Sequence, residues 1–243
     1  MKRYGGLLAA LVAALLIVVC VRMFVALLLV IPADGEQPAL YAGDRVWVSR
    51  TSYGVRLPLC RLWGYKRIGA SPVGLRDWVA FNNPSSGLTM SSEQQEIFVG
   101  RCLGLPGDTL WLNQKGLPSR HKDKRQGFVW PVVVPRQGHK VKIEPWSARL
   151  YAQAINSHEP VKAAVINDSL CVDGRMRKYY SFNQDFYWMA SSSATKTGMD
   201  SRVFGFVPET HLVGRLVRVL YSIDPQSPWY KPFRTERFGA SLP

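Results

Sequence analysis

The chain has 243 residues, 47% of them hydrophobic and 20% charged, enough apolar content to bury one sizeable core and too much for a disordered chain. Its formal net charge of +14 bears on partners and solubility rather than on fold. No recognition-helix, zinc-finger or RNA-binding signature accompanies that charge, so it points to anionic lipid headgroups and away from nucleic acid.

Lys2 and Arg3 precede an uninterrupted apolar run from Gly5 to Val21, rich in Leu, Ala and Val. At ~1.5 Å per residue such a helix nearly crosses a ~30 Å hydrocarbon layer. Arg22 closes the run, because a charge at mid-bilayer costs ~2.5–3.5 kcal/mol and its guanidinium belongs at the exit interface. The positive-inside rule then puts Lys2 and Arg3 in the cytoplasm and the bulk of the chain across the membrane. A cleaved signal peptide is the competing reading, but the run is long for one and no small-x-small cleavage site follows cleanly. The expected division is a cytoplasmic N-terminus over 1–4, one transmembrane anchor over 5–22 and one β-rich extracytoplasmic domain over 23–243.

Past Arg22, the stretch Met23 to Ile31 is too short to span again and suits a buried or membrane-apposed strand. Short β-branched and aromatic runs follow at Arg45–Ser49, Asp77–Phe81, Ile97–Leu103, Thr109–Leu112, Val129–Val134, Val161–Ile166, Asp185–Met189 and Leu212–Tyr221. Turn residues separate them, at Tyr41-Ala42-Gly43-Asp44, Pro106-Gly107-Asp108 and Val172-Asp173-Gly174, so the fold class is mainly β. One helix is expected over Ser147–Ile155. Arg120 to Arg125 reads as a mobile, solvated insertion with a secondary reading as a lipid-binding patch, and Ser191 to Gly198 as a second small-residue loop.

Cys20 lies in the apolar run, which leaves Cys60, Cys102 and Cys171 for at most one disulfide whose pairing the sequence does not choose. No cysteine pair has the spacing of a zinc site, and His121, His139, His158 and His211 are scattered. Each histidine reads as a surface residue rather than a ligand, so no metal and no cofactor are expected.

Three blocks occur in order. The first is Ile31-Pro32-Ala33-Asp34-Gly35-Glu36-Gln37-Pro38-Ala39-Leu40-Tyr41-Ala42-Gly43-Asp44. The second is Phe98-Val99-Gly100-Arg101-Cys102-Leu103-Gly104-Leu105-Pro106-Gly107-Asp108, and the third Asp200-Ser201-Arg202-Val203-Phe204-Gly205-Phe206-Val207-Pro208-Glu209. With Trp78-Val79-Ala80-Phe81-Asn82 and Phe186-Tyr187-Trp188-Met189 between them, the chain resembles the type I signal peptidases over most of its length. In that family a serine hydroxyl attacks the bond after the signal sequence, and a buried neutral lysine removes its proton. The resemblance puts Gly35 at the nucleophile position, Gly100 at the general-base position and Ala33 at the position whose hydroxyl serves the oxyanion hole. It assigns Pro32, Gly35, Pro38, Val99 and Gly100 to a peptide-binding cleft, and Asp200 with Arg202 to a structural salt bridge.

The expectation is a single-pass protein of the inner membrane with its domain on the periplasmic side, catalytically inactive. It would bind signal peptides and preproteins, or an active paralogue, by adding a strand to the cleft edge. An active peptidase using other residues is the enzyme alternative, with Ser191, Ser192 or Ser193 beside Lys196 as candidates; an exposed lysine there would stay protonated near its ordinary pKa of about 10.4. A scaffold that binds no peptide is the third.

Overall fold

The computed structural model describes residues 2–32, 39–56, 67–69, 71–86, 96–113, 116, 118–119, 129–190, 200–228 and 232–242, with side chains from residue 10 onward except at 23, 56, 86 and 119. In chain order the first half holds α1 (Lys2–Cys20), β1 (Ala26–Val30), β2 (Asp44–Ser49), β3 (Val55–Arg56), β4 (Arg67–Ile68), β5 (Trp78–Asn82), β6 (Ile97–Gly104) and β7 (Thr109–Leu112). Then come β8 (Pro118–Ser119), β9 (Trp130–Val133), β10 (Lys140–Lys142), α2 (Ala148–His158), β11 (Ala163–Ile166), β12 (Ser169–Val172) and β13 (Arg175–Met176). The chain ends with β14 (Tyr179–Ser181), β15 (Phe186–Ala190), α3 (Ser201–Phe204), β16 (Val207–Pro208) and β17 (Leu212–Ser222). Each of the eight expected runs overlaps a strand to within a residue or two at its ends, Met23–Ile31 contains β1, and the expected helix is α2, starting one residue later and ending three residues later.

The chain forms two compact units, Met1–Pro72 with Gly214–Pro243, and Val73–Val213. In the first, α1 runs 19 residues and passes through a π turn, Val21–Val25, closed by the Ala26 N–H on the Val21 carbonyl. Among the described residues no helix is both long and apolar enough to cross a membrane. Strands β1, β2 and β17 follow as antiparallel neighbours in that order, with Leu28 opposite Trp47 and Trp47 opposite Arg218. Period-2 alternation turns Val46 and Val48 inward, and a register shift between Leu216 and Arg218 lets β17 bury both Leu216 and Val219. The other face exposes Leu28, Val30, Trp47, Val217 and Leu220.

The second unit carries the antiparallel order β5-β6-β15-β16, in which all five residues of β5 and of β15 are buried. Smaller sheets, β8-β7-β9, β11-β12-β13 and β10-β14, surround the inward face of α2. Tyr151, Ile155, Phe182, Phe186, Trp188 and Phe206 form the centre of this core. Tyr151 pins it to β9, its hydroxyl donating to the Val133 carbonyl at 2.8 Å and accepting the Val133 N–H at 3.1 Å. Asn156 caps the β11 edge with a two-way amide pair to Ala163, 2.7 Å in each direction.

One expectation is corrected. His158 and His211 are buried rather than at the surface, with ring centroids 5.1 Å apart. His158 continues the inward stripe of α2, one turn beyond Ala154 and Ile155 and two beyond Tyr151, and the second ring lies beside it. Burial first, and then His211, hold the His158 pKa down at about 3. Cys102 and Cys171 are free and buried, while Cys60 lies outside the described residues.

Candidate functional site

In the first unit, the two described ends of the first motif block, residues 31–32 and 39–44, are joined by backbone bonds. Ile31 N–H donates to Asp44 O at 2.8 Å, and Gly43 N–H donates to Ile31 O at 3.0 Å. Asp44 is fully buried, and its carboxylate accepts the Tyr41 N–H at 2.9 Å. Gly43 has φ +85, and a Cβ there would meet the Ile223 carbonyl oxygen at 1.8 Å, so only glycine fits beneath the returning C-terminal chain. Pro32 is exposed at the first of the two ends, directly after the edge strand β1. Ala33, Gly35 and Pro38 lie outside the described residues, as do Ser191–Ser193, Lys196 and Arg120–Arg125.

In the second unit, Val99 and Gly100 sit in β6, opposite Ala80 and Val79 of β5. Gly100, Cys102 and Gly104 point to one buried face of that strand. A Cβ at Gly100 would meet Phe81 Cε1 at 3.3 Å, Met189 Cβ at 3.4 Å and the Ala190 carbonyl oxygen at 3.6 Å. Phe81 in turn packs with Phe98 and Phe204, with ring centroids 5.8–6.3 Å apart. Position 100 therefore opens onto a dry aromatic cluster, the surroundings that disfavour a charged amine.

Two nucleophile-type groups border this cluster, and neither is poised to react. The Cys102 thiol donates to the Gly104 carbonyl at 3.6 Å, and burial pushes its pKa up to about 12, so it stays protonated at neutral pH. The Ser201 hydroxyl, almost fully buried, accepts the Met189 N–H at 2.9 Å and so joins α3 to β15.

Asp200 and Arg202 form a chelated pair. Arg202 Nε donates to Asp200 Oδ1 at 3.0 Å and Oδ2 at 2.8 Å, and Nη2 stands 2.6 Å from Oδ2. Asp200 also caps the short helix α3 by accepting the Arg202 N–H at 2.9 Å, which fixes the turn that delivers Phe204 to the aromatic cluster. Among the described residues, no three His, Cys, Asp or Glu side chains gather to hold a metal ion.

The sequence matches the profile of the family described as signal peptidase, peptidase S26, over residues 5–221. The chain belongs to the signal peptidase family. Similar proteins include signal peptidase I of Buchnera aphidicola subsp. Schizaphis graminum, 22% identical over 262 residues that cover 96% of this chain and 80% of the relative. Signal peptidase I of Buchnera aphidicola subsp. Acyrthosiphon pisum is 21% identical over 240 residues, covering 86% of this chain and 73% of the relative. All three family motif blocks fall inside the matched span.

Two features of this signal peptidase homologue escaped the reading of its sequence. Phe204 reaches Phe81 and Phe98 across more than a hundred residues, which no local pattern signals. Arg234 and Arg237, three apart near the C-terminal end, belong to no motif block, yet they anchor the first one.

Proposed function

We propose that this chain is a membrane-anchored signal peptidase homologue that does not cleave, and that it binds signal peptides of preproteins as an added strand. The observation that carries this is Gly100, which puts no amine into an aromatic surround suited to keeping one neutral. The resemblance supports it further by setting Gly35 and Ala33 at the nucleophile and oxyanion positions. Strand addition needs only backbone groups, and β1 is an edge strand that leads straight into Pro32. Pro32, Gly35, Pro38, Val99 and Gly100 are the residues assigned to the groove, and an active paralogue is the natural partner for a chain that holds a preprotein without cutting it. Anchoring in the inner membrane, domain outward, is supported by Lys2 and Arg3 ahead of the Gly5–Val21 run and by the exposed Leu28, Val30, Trp47, Val217 and Leu220 on the first unit's sheet.

The test is an assay of the full chain, purified in detergent, against a preprotein, together with photo-crosslinking to a signal-peptide probe. Crosslinking without turnover is expected, robust turnover would overturn the reading, and neither signal would leave a scaffold. Gly35→Ser combined with Gly100→Lys should produce measurable cleavage, because the first carbon of a side chain at 100 asks only the edge of Phe81 to give by a few tenths of an ångström. Silence from a folded double variant would show that more than the dyad is missing.

A further inference from the structure

The family match stops at residue 221, and the chain beyond it folds back onto the first motif block within the same unit. Ile223 N–H donates to the Gly43 carbonyl at 3.0 Å, the close approach that excludes any side chain at 43. Arg234 then donates through Nη1 to the Ala42 carbonyl at 2.8 Å and to Ser222 Oγ at 3.0 Å, while its Nη2 pairs with Asp224 at 3.0 Å. Arg237 grips Asp44 through two nitrogens, Nε to Oδ1 at 3.0 Å and Nη2 to Oδ2 at 2.6 Å, and Nη2 also donates to the Ala39 carbonyl at 3.0 Å. Both guanidinium groups stack over the Tyr41 ring, at 4.5 Å for Arg237 and 5.8 Å for Arg234.

Every backbone group held in this way lies between Ala39 and Gly43, immediately after the stretch that carries position 35. The Ile31 pairing closes the same loop from its other end. A loop fixed at its base alone could pivot; one whose carbonyls are also held by two planar, forked donors has its orientation set.

We propose that the C-terminal strap, residues 223–228 and 232–239, positions residues 39–44, and through their backbone pairing Ile31 and Pro32, for peptide binding, with Arg237 acting through Asp44 and Ala39 and Arg234 acting through Ala42. The strap contributes nothing to contact with the peptide; its role is the placement of the strand-loop junction that receives it. This rests on the peptide-binding reading above.

The test compares Arg237→Lys, which keeps the charge but loses the fork, with Val48→Ala, a core truncation in the same unit chosen to match its loss of melting temperature. Amide hydrogen exchange over residues 39–44 and signal-peptide crosslinking are read on the full chain in detergent. Arg237→Lys is expected to speed exchange in that window at least tenfold and to lower crosslinking at least fivefold. Val48→Ala should leave both within twofold of the unaltered protein. Indistinguishable variants, uniform acceleration across the unit, or an Arg237→Lys protein that behaves as the unaltered one would each overturn the proposal. If the unaltered protein never crosslinks, peptide binding falls, and the exchange comparison still decides whether the strap holds the loop.

Discussion

Gly100 and Gly104 occupy the same face of β6, and replacing each with alanine separates a glycine required by packing from one that is not. At Gly104 a Cβ would lie 2.7 Å from Leu110 Cδ1 and 3.1 Å from both Trp188 Cβ and Val134 Cγ2. Trp188 Cβ is tied to its backbone and cannot retreat, so Gly104→Ala should cost ~1–3 kcal/mol, the usual penalty of overpacking. At Gly100 the nearest atom is 3.3 Å away and belongs to a ring edge. Its small strain is offset by the ~0.4–1 kcal/mol gained when alanine narrows the unfolded ensemble. Gly100→Ala should therefore stay within ~1 kcal/mol of the unaltered protein. Denaturant unfolding of the detergent-solubilised chain, followed by tryptophan fluorescence, reads both differences. Equal destabilisation by the two substitutions would refute the argument, for it would mean that the fold itself demands glycine at 100.

Acid should weaken the fold through His158: its pKa is about 3 when folded against about 6.5 when unfolded. The stability it contributes is complete above pH 6.5 and is lost as pH falls towards 3, by up to ~1.4 kcal/mol per pH unit. A melting series from pH 7.5 to 4 should show this slope and should lose most of it in His158→Phe. Asp200→Asn should cost about 3 kcal/mol, the lower end for a broken buried pair, because Arg202 keeps some exposure. Exchange mapping of that variant should show α3 and β15 loosening first, and a melting point unchanged within a degree would contradict the role given to the pair.

The strands were legible because their β-branched and aromatic runs are cut by turn residues, and each run is long enough to show a pattern. Elements of two residues, such as β3, β8 and β13, carry too few side chains to display a period. Position 100 was legible only by resemblance, since a glycine announces nothing about the group it replaces. Its surroundings were not legible at all, because Phe81, Phe98 and Phe204 converge through tertiary packing. The histidines show the same limit: His158 sits on the apolar stripe of α2, but the ring that shields it arrives from residue 211.

The contact between Gly43 and Ile223 joins positions separated by most of the polypeptide, and β2 waits just as long for β17. During synthesis the first unit thus stays open until β17 and the residues after it leave the ribosome, whereas the residues that make the internal contacts of Val73–Val213 are all synthesised earlier. Assembly should run from the middle outward, with the N-terminal strands left waiting for the tail, and a nascent chain stalled with residue 213 just clear of the exit tunnel should already protect the inner segment from protease while the first motif block stays cleavable.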